Sequence, residues 1–480
     1  MAEPKPRRCS SSLCKPSVKC TAAVICAIVL VGASCVSGQI TTATPIRHVV
    51  FIMMENHSFD NIFGIYPFPN LSSAADQSGP DAAIQRPINL LSSPNLSDLS
   101  PVPKGQYATA DPNEGYSVYH ADWNHGRMNG FAANSGSQSM TYFTPSQLAI
   151  EWDFAEEYSI GDMYFSSYLS ETAPNRLMSL AGYTPVTADY GPPPYLPVNN
   201  TIFGELSKLG VSWGYYVPSP SGVPYPLTYF QGISSYSGHL GSIADFEHSL
   251  MSGSLPSVSW VMPLGGTISG LDQHPSSNVT TGELWMAKVV SSVMGSPYWD
   301  STAIFITYDE GGGYYDQVPP PNLDGNQLGF RVPLIVISPY AKEDYVSNSI
   351  MNHDSLLAFV DYNWGLPALN QFVADSTLPL DMFDFNQSYP GGSLIRMPLE
   401  FSNDSAFPLA PQISFGSLPY SRTGSDMLTL AALGRGLYTQ STSTYTPIYE
   451  TPEVLVAVFA ALVIALVALR RRINRHGPPT

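Results

Sequence analysis

Apolar residues along this chain fall in short unbroken runs, each stopped by polar or glycine-rich residues. The clearest is HVVFIMM at 48–54, which halts at Glu55, Asn56 and His57. Another, Ala303-Ile304-Phe305-Ile306-Thr307-Tyr308, halts at Asp309 and Glu310 and then at Gly311-Gly312-Gly313. Runs at 258–262 and 332–338 have the same character. Short runs without the alternation of a half-wet strand fit strands buried on both faces of a parallel sheet. Between them the spacing predicts helices: one resuming near Pro145, one starting at Thr172 ahead of Leu177-Met178-Ser179-Leu180, and others around 202–209, 282–294 and 355–363. Strands alternating with helices predict an α/β fold with a mostly parallel sheet. Such sheets bind ligands beyond the carboxyl ends of their strands, so the acidic stops after Met54 and Tyr308 are expected on one rim.

The remaining segments predict the organisation of the chain. A Ser/Pro/Asn-rich stretch at 67–112 reads as surface loops, and 183–242, rich in Tyr, Pro, Gly and Ser, as an irregular insertion or cap carrying one short helix. Apolar residues 21–36 follow Arg7, Arg8, Lys15 and Lys19, the layout of a secretory signal over 1–38 or, if uncleaved, of an N-terminal anchor. At the other end, apolar residues 454–469 precede Arg470, Arg471, Arg472 and Arg475. That predicts a transmembrane helix over 453–470 and a basic cytoplasmic tail at 471–480. The domain at 45–390 is then expected outside the cell membrane, on an extension and Ser/Thr/Tyr stalk at 391–452.

Composition narrows the classes. A chain of 480 residues, 44% hydrophobic, fills a sizeable core. With 21 basic against 38 acidic residues, and many basic ones near the two ends, the central region is no nucleic-acid-binding surface. Charged residues make up only 12% of the chain, a density suited to work in acid. All five cysteines lie at or before Cys35, so the domain holds neither disulfide nor thiolate metal site. Sequons at Asn70, Asn95, Asn199, Asn278, Asn386 and Asn403 are candidate N-glycan sites.

Thr172, in Glu171-Thr172-Ala173-Pro174-Asn175-Arg176, stands where helix N–H groups and dipole attract a phosphoryl group, with proline tolerated in the first turn. Local sequence alone reads it first as an N-cap, the usual part of a threonine at a helix start. Arg176 offers a bidentate fork to phosphate oxygens or a structural ion pair, and Asn175 is a second phosphate-binding candidate. The two acidic stops supply hard oxygen ligands for a divalent cation; alone, each reads as solvated loop charge.

Taken in order, HVVFIMMENHSFDNIFG, HADWNHGRMNGF, ETAPNRLMSLAG, LPSVSWVMP, DQHP, SPYWDSTAIFITYDEGGGYYDQVPPP, GFRVPLIVISPYAK and HDSLLAFVDYNWGLP are similar to segments of the phosphoesterase family of bacterial phospholipases C and acid phosphatases. The resemblance spans about 45–390 and implies the three-layer α/β/α sandwich of alkaline-phosphatase-like proteins. It implies Thr172 as a nucleophile forming a covalent phosphoenzyme, and Glu55, Asn56, Thr172, Asp309 and Glu310 as ligands of a divalent metal, Ca, Mg, Mn or Fe. It implies that His274 and His353 contact phosphate or protonate the leaving oxygen, and that Asn56 and His120 bind phosphate. The substrate is then a small phosphate ester or a phospholipid.

Two histidines of the family pattern are missing. Glu114 stands where Asp-Pro-x-His is common, and Gln317 stands in Asp316-Gln317-Val318 where Asp-His-Val is common. If the first histidine is the leaving-group acid, Glu114 is its replacement, a donor better matched to low pH. These departures tilt the expectation to an acid phosphatase over a phospholipase C. They also keep a rival open, a surface glycoprotein that uses the fold only for binding.

Overall fold

The computed structural model of the protein describes residues 41–65, 99–189, 196–263, 270–323 and 325–387, and those from Ala43 onward belong to one unit. The leader, stalk, C-terminal apolar segment and sequons at Asn70, Asn95 and Asn403 lie outside the described residues. Among the described residues no helix is long and apolar enough to cross a membrane.

Eight strands form the central sheet: β1 (His48–Met54), β2 (Ser159–Gly161), β3 (Trp213–Val217), β4 (Leu240–Ser242), β5 (Val258–Val261), β6 (Thr302–Tyr308), β7 (Leu334–Ile337) and β8 (Tyr345–Ser347). Their order is β8-β2-β7-β6-β1-β5-β3-β4. The long apolar runs take the centre: β6 is buried throughout and β1 everywhere except His48, as strands covered on both faces must be. Strand β1 runs parallel to β5 and β6, pairing Met54 with Tyr308, so the two chains leave the sheet side by side.

Strand β7 pairs antiparallel with both β6 and β2. A parallel return needs a crossover element, usually a helix. The described chain from Asp309 to Pro333 holds instead a glycine turn and the small ladder between Asn322–Leu323 and Asn326–Gln327, so the strand comes back in the opposite sense.

Helices that position the site are α1 (Phe59–Phe63), α2 (Tyr116–Trp123), α3 (Ala149–Glu157), α4 (Thr172–Ala181), α5 (Ile202–Leu209), α6 (Ile243–Ser252), α7 (Val279–Met294) and α8 (His353–Trp364). They pack in two groups, α4 with α5 and α8, and α7 with α3 and α6, on a sheet whose centre is dry. That is the layering the alternating pattern predicts.

The segment at 183–242 corrects the sequence reading. It is no irregular insertion: its described part carries α5 and adds β3 and β4 to the sheet. Tyr215, Tyr216 and Gly214 hide a buried strand in a stretch whose composition resembles a loop.

One polar node sits inside this framework. Arg331, with no exposure, binds Asp60 at 2.8 Å, Asp162 at 2.9 Å and Asp316 at 3.1 Å, and its guanidinium lies 4.2 Å from the Phe59 ring centre. Burial, then the Asp316 charge, pushes the Asp60 carboxyl up to about 8. Gln317 serves this node, donating its backbone N–H to Asp60 at 2.8 Å.

Candidate active site

Where β1 and β6 end, the chain turns sharply twice. Asn56 takes φ 61°, a left-handed conformation that asparagine tolerates, and its N–H donates to Asp309 Oδ1 at 3.1 Å. Glu310 N–H donates to the same oxygen at 2.9 Å. The glycine turn closes over this corner. A Cβ on Gly312 would meet the Asn56 carbonyl at 2.0 Å, and one on Gly313 would meet the Asn113 carbonyl at 2.5 Å. Only bare backbone brings β1, β6 and the Asn113–Glu114 strand of chain this close together. Glu310 Oε2 accepts from Gly312 N–H at 2.6 Å and from the Tyr119 hydroxyl of α2.

Helix α4 supplies the third wall. It begins at Thr172, which is buried, and Arg176 follows one turn later on the same face. Arg176 does not reach outward. Its Nε donates to Asp309 Oδ2 at 3.0 Å, and its Nη2 to Glu55 Oε1 and to the carbonyls of Met53 and Met54 at 3.3 and 3.2 Å. The guanidinium thus ties α4 to both strand ends, one helical turn along from Thr172. A Cβ on Gly115 would lie 3.3 Å from Glu171 Oε2, so the chain after Glu114 passes directly against the residue preceding Thr172.

Glu114 reaches the corner as well. The Asn56 amide donates both its hydrogens, to Glu114 Oε2 at 2.6 Å and to His274 Nε2 at 3.2 Å. With Nδ1 facing the Pro275 carbonyl as donor, His274 is the tautomer that accepts at Nε2. Burial pushes the Glu114 carboxyl up to about 7, so it carries a proton in mildly acidic solution.

Other sequence candidates are placed differently. The Asn175 amide is fully engaged: Oδ1 accepts from Tyr168 N–H at 2.8 Å, and Nδ2 donates to the carbonyls of Tyr168, Ser170 and Glu171 at 3.0, 2.8 and 3.1 Å. It shapes the turn before α4 and has no donor left for phosphate. His353 lies buried at the start of α8, Nε2 donating to the Asp309 carbonyl at 2.7 Å and Nδ1 accepting from Tyr164 at 2.9 Å. Burial lowers its pKa to about 4, so it stays neutral and braces Asp309 without offering a proton. His120 bonds the Tyr116 carbonyl at 2.8 Å and packs on that tyrosine ring, while its neighbour Tyr119 is the α2 residue that enters the site.

The donor set suits a hard cation in kind. Asn56 Oδ1 and Glu310 Oε1 are buried acceptors with no hydrogen-bond partner. Glu55, Asp309 and Glu310 crowd the same corner with Arg176 as the bonded countercharge, and burial pushes the Glu55 and Glu310 carboxyls up. An anionic ester entering here needs further positive charge. Among the described residues no three His, Cys, Asp or Glu side chains converge as a ready metal site, and Arg176 is bonded to both Glu55 and Asp309.

Comparison with known proteins gives the family. Residues 46–367 match the family described as Phosphoesterase family, two thirds of the chain. The chain belongs to the Phosphoesterase family. It is 27% identical to the non-hemolytic phospholipase C of Burkholderia pseudomallei over 74% of this chain and 61% of that one. It is 27% identical to phospholipase C A of Mycobacterium tuberculosis over 77% and 82%, and 28% identical to non-specific phospholipase C1 of Arabidopsis thaliana over 63% and 62%. The chain thus spans about three fifths of the Burkholderia and Arabidopsis proteins. Among solved structures, an alkaline phosphatase superfamily protein of Vibrio parahaemolyticus is 10% identical, with a TM-score of 0.32 over 61% of this chain and 74% of that one. As a member of this family the chain is a phosphoric ester hydrolase.

Sequence reasoning missed three contributors. Tyr119 lies one position from the histidine that the motif points to. Asp189 accepts from Ala173 N–H at 2.5 Å and carries no local signal. The glycines were visible as a run, but their close approach to Asn56 and Asn113 is a tertiary fact.

Proposed function

We propose that the protein hydrolyses phosphodiesters of the phospholipase C type, with Thr172 as nucleophile and Glu114 as proton donor to the leaving oxygen. The observation that carries this reading is the Asn56 amide held between Glu114 and His274, beside the start of α4. In this reading Thr172 gives its hydroxyl proton to solvent as its oxygen bonds to phosphorus, the phosphorus–leaving-oxygen bond breaks, and Glu114 gives the leaving oxygen its proton. Water then attacks phosphothreonine and loses a proton to the Glu114 carboxylate, while the departing Thr172 oxygen takes a proton back from solvent, which resets both groups. His274 accepts from Asn56 and so fixes the amide that faces Glu114.

Glu55, Asn56, Thr172, Asp309 and Glu310 would hold a divalent metal, with the Asn56 and Glu310 oxygens that lack partners as its first contacts. When bound, that metal supplies charge for the developing oxyanion and lowers the pKa of the threonine hydroxyl. Arg176 holds α4 against both carboxylates, keeping Thr172 in register with them.

Relatives in three organisms carry the name phospholipase C, which puts diesters ahead of monoesters in this reading. Acid phosphatase action is the second reading, favoured by a carboxyl donor in place of a histidine and by the low charge density of the chain. The test is release of p-nitrophenol from p-nitrophenyl phosphocholine and from p-nitrophenyl phosphate, with added divalent metals and after chelation. Thr172→Ala is expected to lower both on the order of 10³-fold or more. Retained turnover in that variant would remove Thr172 from the chemistry, and faster monoester turnover would put the second reading first. The membrane anchor, the exterior location and the N-glycans remain proposals from the sequence. Of the described sequons, Asn278 uses its side chain to cap α7, which leaves Asn199 and Asn386 as the better acceptors.

A further inference from the structure

We propose that Asp189 is a specificity-determining residue, whose carboxylate occupies the Ala173 amide in the first turn of α4 and thereby favours singly charged phosphodiesters over doubly charged phosphomonoesters. This rests on the reading that phosphate is transferred at Thr172.

The amide of Ala173 follows the proposed nucleophile. Open helix N–H groups there would be a natural seat for a phosphoryl oxygen. In this protein the chain supplies the anion: Asp189 Oδ1 accepts from Ala173 N–H at 2.5 Å. The carboxylate is held from behind. Its own N–H donates to Glu171 Oε1 at 2.7 Å, and the Tyr229 hydroxyl donates to its carbonyl at 3.4 Å. Asp189 therefore joins Glu171 and Asp309 in a field of negative charge near the start of α4, opposed by Arg176.

Such a field acts on net charge. A phosphomonoester near neutral pH carries close to two negative charges, and a phosphodiester carries one. Repulsion from a fixed carboxylate at short range therefore falls twice as heavily on the monoester. The contact also denies the Ala173 amide to one of the unesterified oxygens, of which a monoester has three and a diester two. Both effects point the same way. Asp189 comes from the segment at 183–242, so the arm that delivers β3 and β4 to the sheet also sets the charge at the mouth of the site.

The experiment compares wild type, Asp189→Asn and Asp189→Ala in the full chain, using p-nitrophenyl phosphate and methyl p-nitrophenyl phosphate, a singly charged diester, so that the leaving group is constant. The ratio of monoester to diester kcat/KM is expected to rise about tenfold or more in both variants. Calorimetric titration with inorganic phosphate, which needs no turnover, is expected to give a Kd about tenfold lower in both. An unchanged ratio with unchanged phosphate affinity overturns the proposal. So does an equal fall on both substrates in a variant that keeps its melting temperature, because that is the mark of a merely structural contact. If Thr172→Ala retains wild-type turnover, the nucleophile reading fails, while the phosphate titration still decides whether Asp189 guards an anion seat.

Discussion

The pair Glu151 and Glu283, buried between α3 and α7 away from the catalytic corner, makes a quantitative prediction about stability. Both carboxyls are dry, at 1% and 0% exposure, and the Oε2 atom of each has no hydrogen-bond partner. Glu283 Oε1 accepts the N–H groups of Ile150 and Glu151 at 2.9 and 3.4 Å. Glu151 Oε1 lies 2.6 Å from the Tyr308 hydroxyl, which also contacts Gln273 Oε1. Gln273 Nε2 donates to the Val279 carbonyl at 3.0 Å, so its oxygen faces Tyr308 as an acceptor. A hydroxyl has one proton to give. With that proton on Gln273, Glu151 must supply its own to the tyrosine oxygen, and it is neutral in the fold.

Burial raises the Glu151 pKa from 4.5 to about 7. Over that window the native state holds a proton that the unfolded chain has released, so stability falls as pH rises. At about 1.4 kcal/mol per unit the loss is about 3 kcal/mol, complete near pH 7. Glu151→Gln keeps the shape and the donor to Tyr308 and removes the charge. The buried His57 and His353, both lowered to about 4, tilt the wild-type profile the other way, because they hold fewer protons folded than unfolded. The informative quantity is therefore variant minus wild type, from urea unfolding at each pH between 4.5 and 8. The variant is expected to be within about 0.5 kcal/mol of wild type at pH 4.5 and about 3 kcal/mol more stable at pH 8. A difference that does not change with pH would refute the assignment of the proton to Glu151.

Three other outcomes follow from the site and its frame. Glu114→Gln is expected to cost about 10²- to 10³-fold in kcat on an alkyl phosphodiester and under about tenfold on a nitrophenyl ester, since a good leaving group needs little protonation; equal losses would take Glu114 out of that role. Arg331→Met strands Asp60, Asp162 and Asp316 without their cation, and is expected to destabilise by about 3 to 5 kcal/mol in urea unfolding at pH 7. Gly312→Ala places a methyl 2.0 Å from the Asn56 carbonyl at φ 61°, and is expected to lower stability by about 2 kcal/mol or more and activity at least about tenfold. A stable, fully active Gly312→Ala protein would mean that the corner at Asn56 is not needed in this form.

The sequence by itself determined the central strands and the identity of the corner. Unbroken apolar runs at 48–54 and 302–308 have one good home, a strand dry on both faces, and parallel pairing then sets Glu55 and Asp309 side by side. The helix start at Thr172 was legible because proline and a helical apolar spacing mark it locally. What only the tertiary structure decided were relations between distant residues. Arg176 had two readings in the sequence, and the fold selects the ion pair because β1 and β6 end beneath it. Asn175 and His353 carry the right chemistry for phosphate, yet backbone carbonyls and Asp309 take their hydrogens first. Strands β3 and β4 were hidden because tyrosine and glycine serve loops and buried edges alike, and sheet partners alone tell them apart. Asp189 left no local trace, since a carboxylate gains its meaning here from an amide sixteen residues back along the chain.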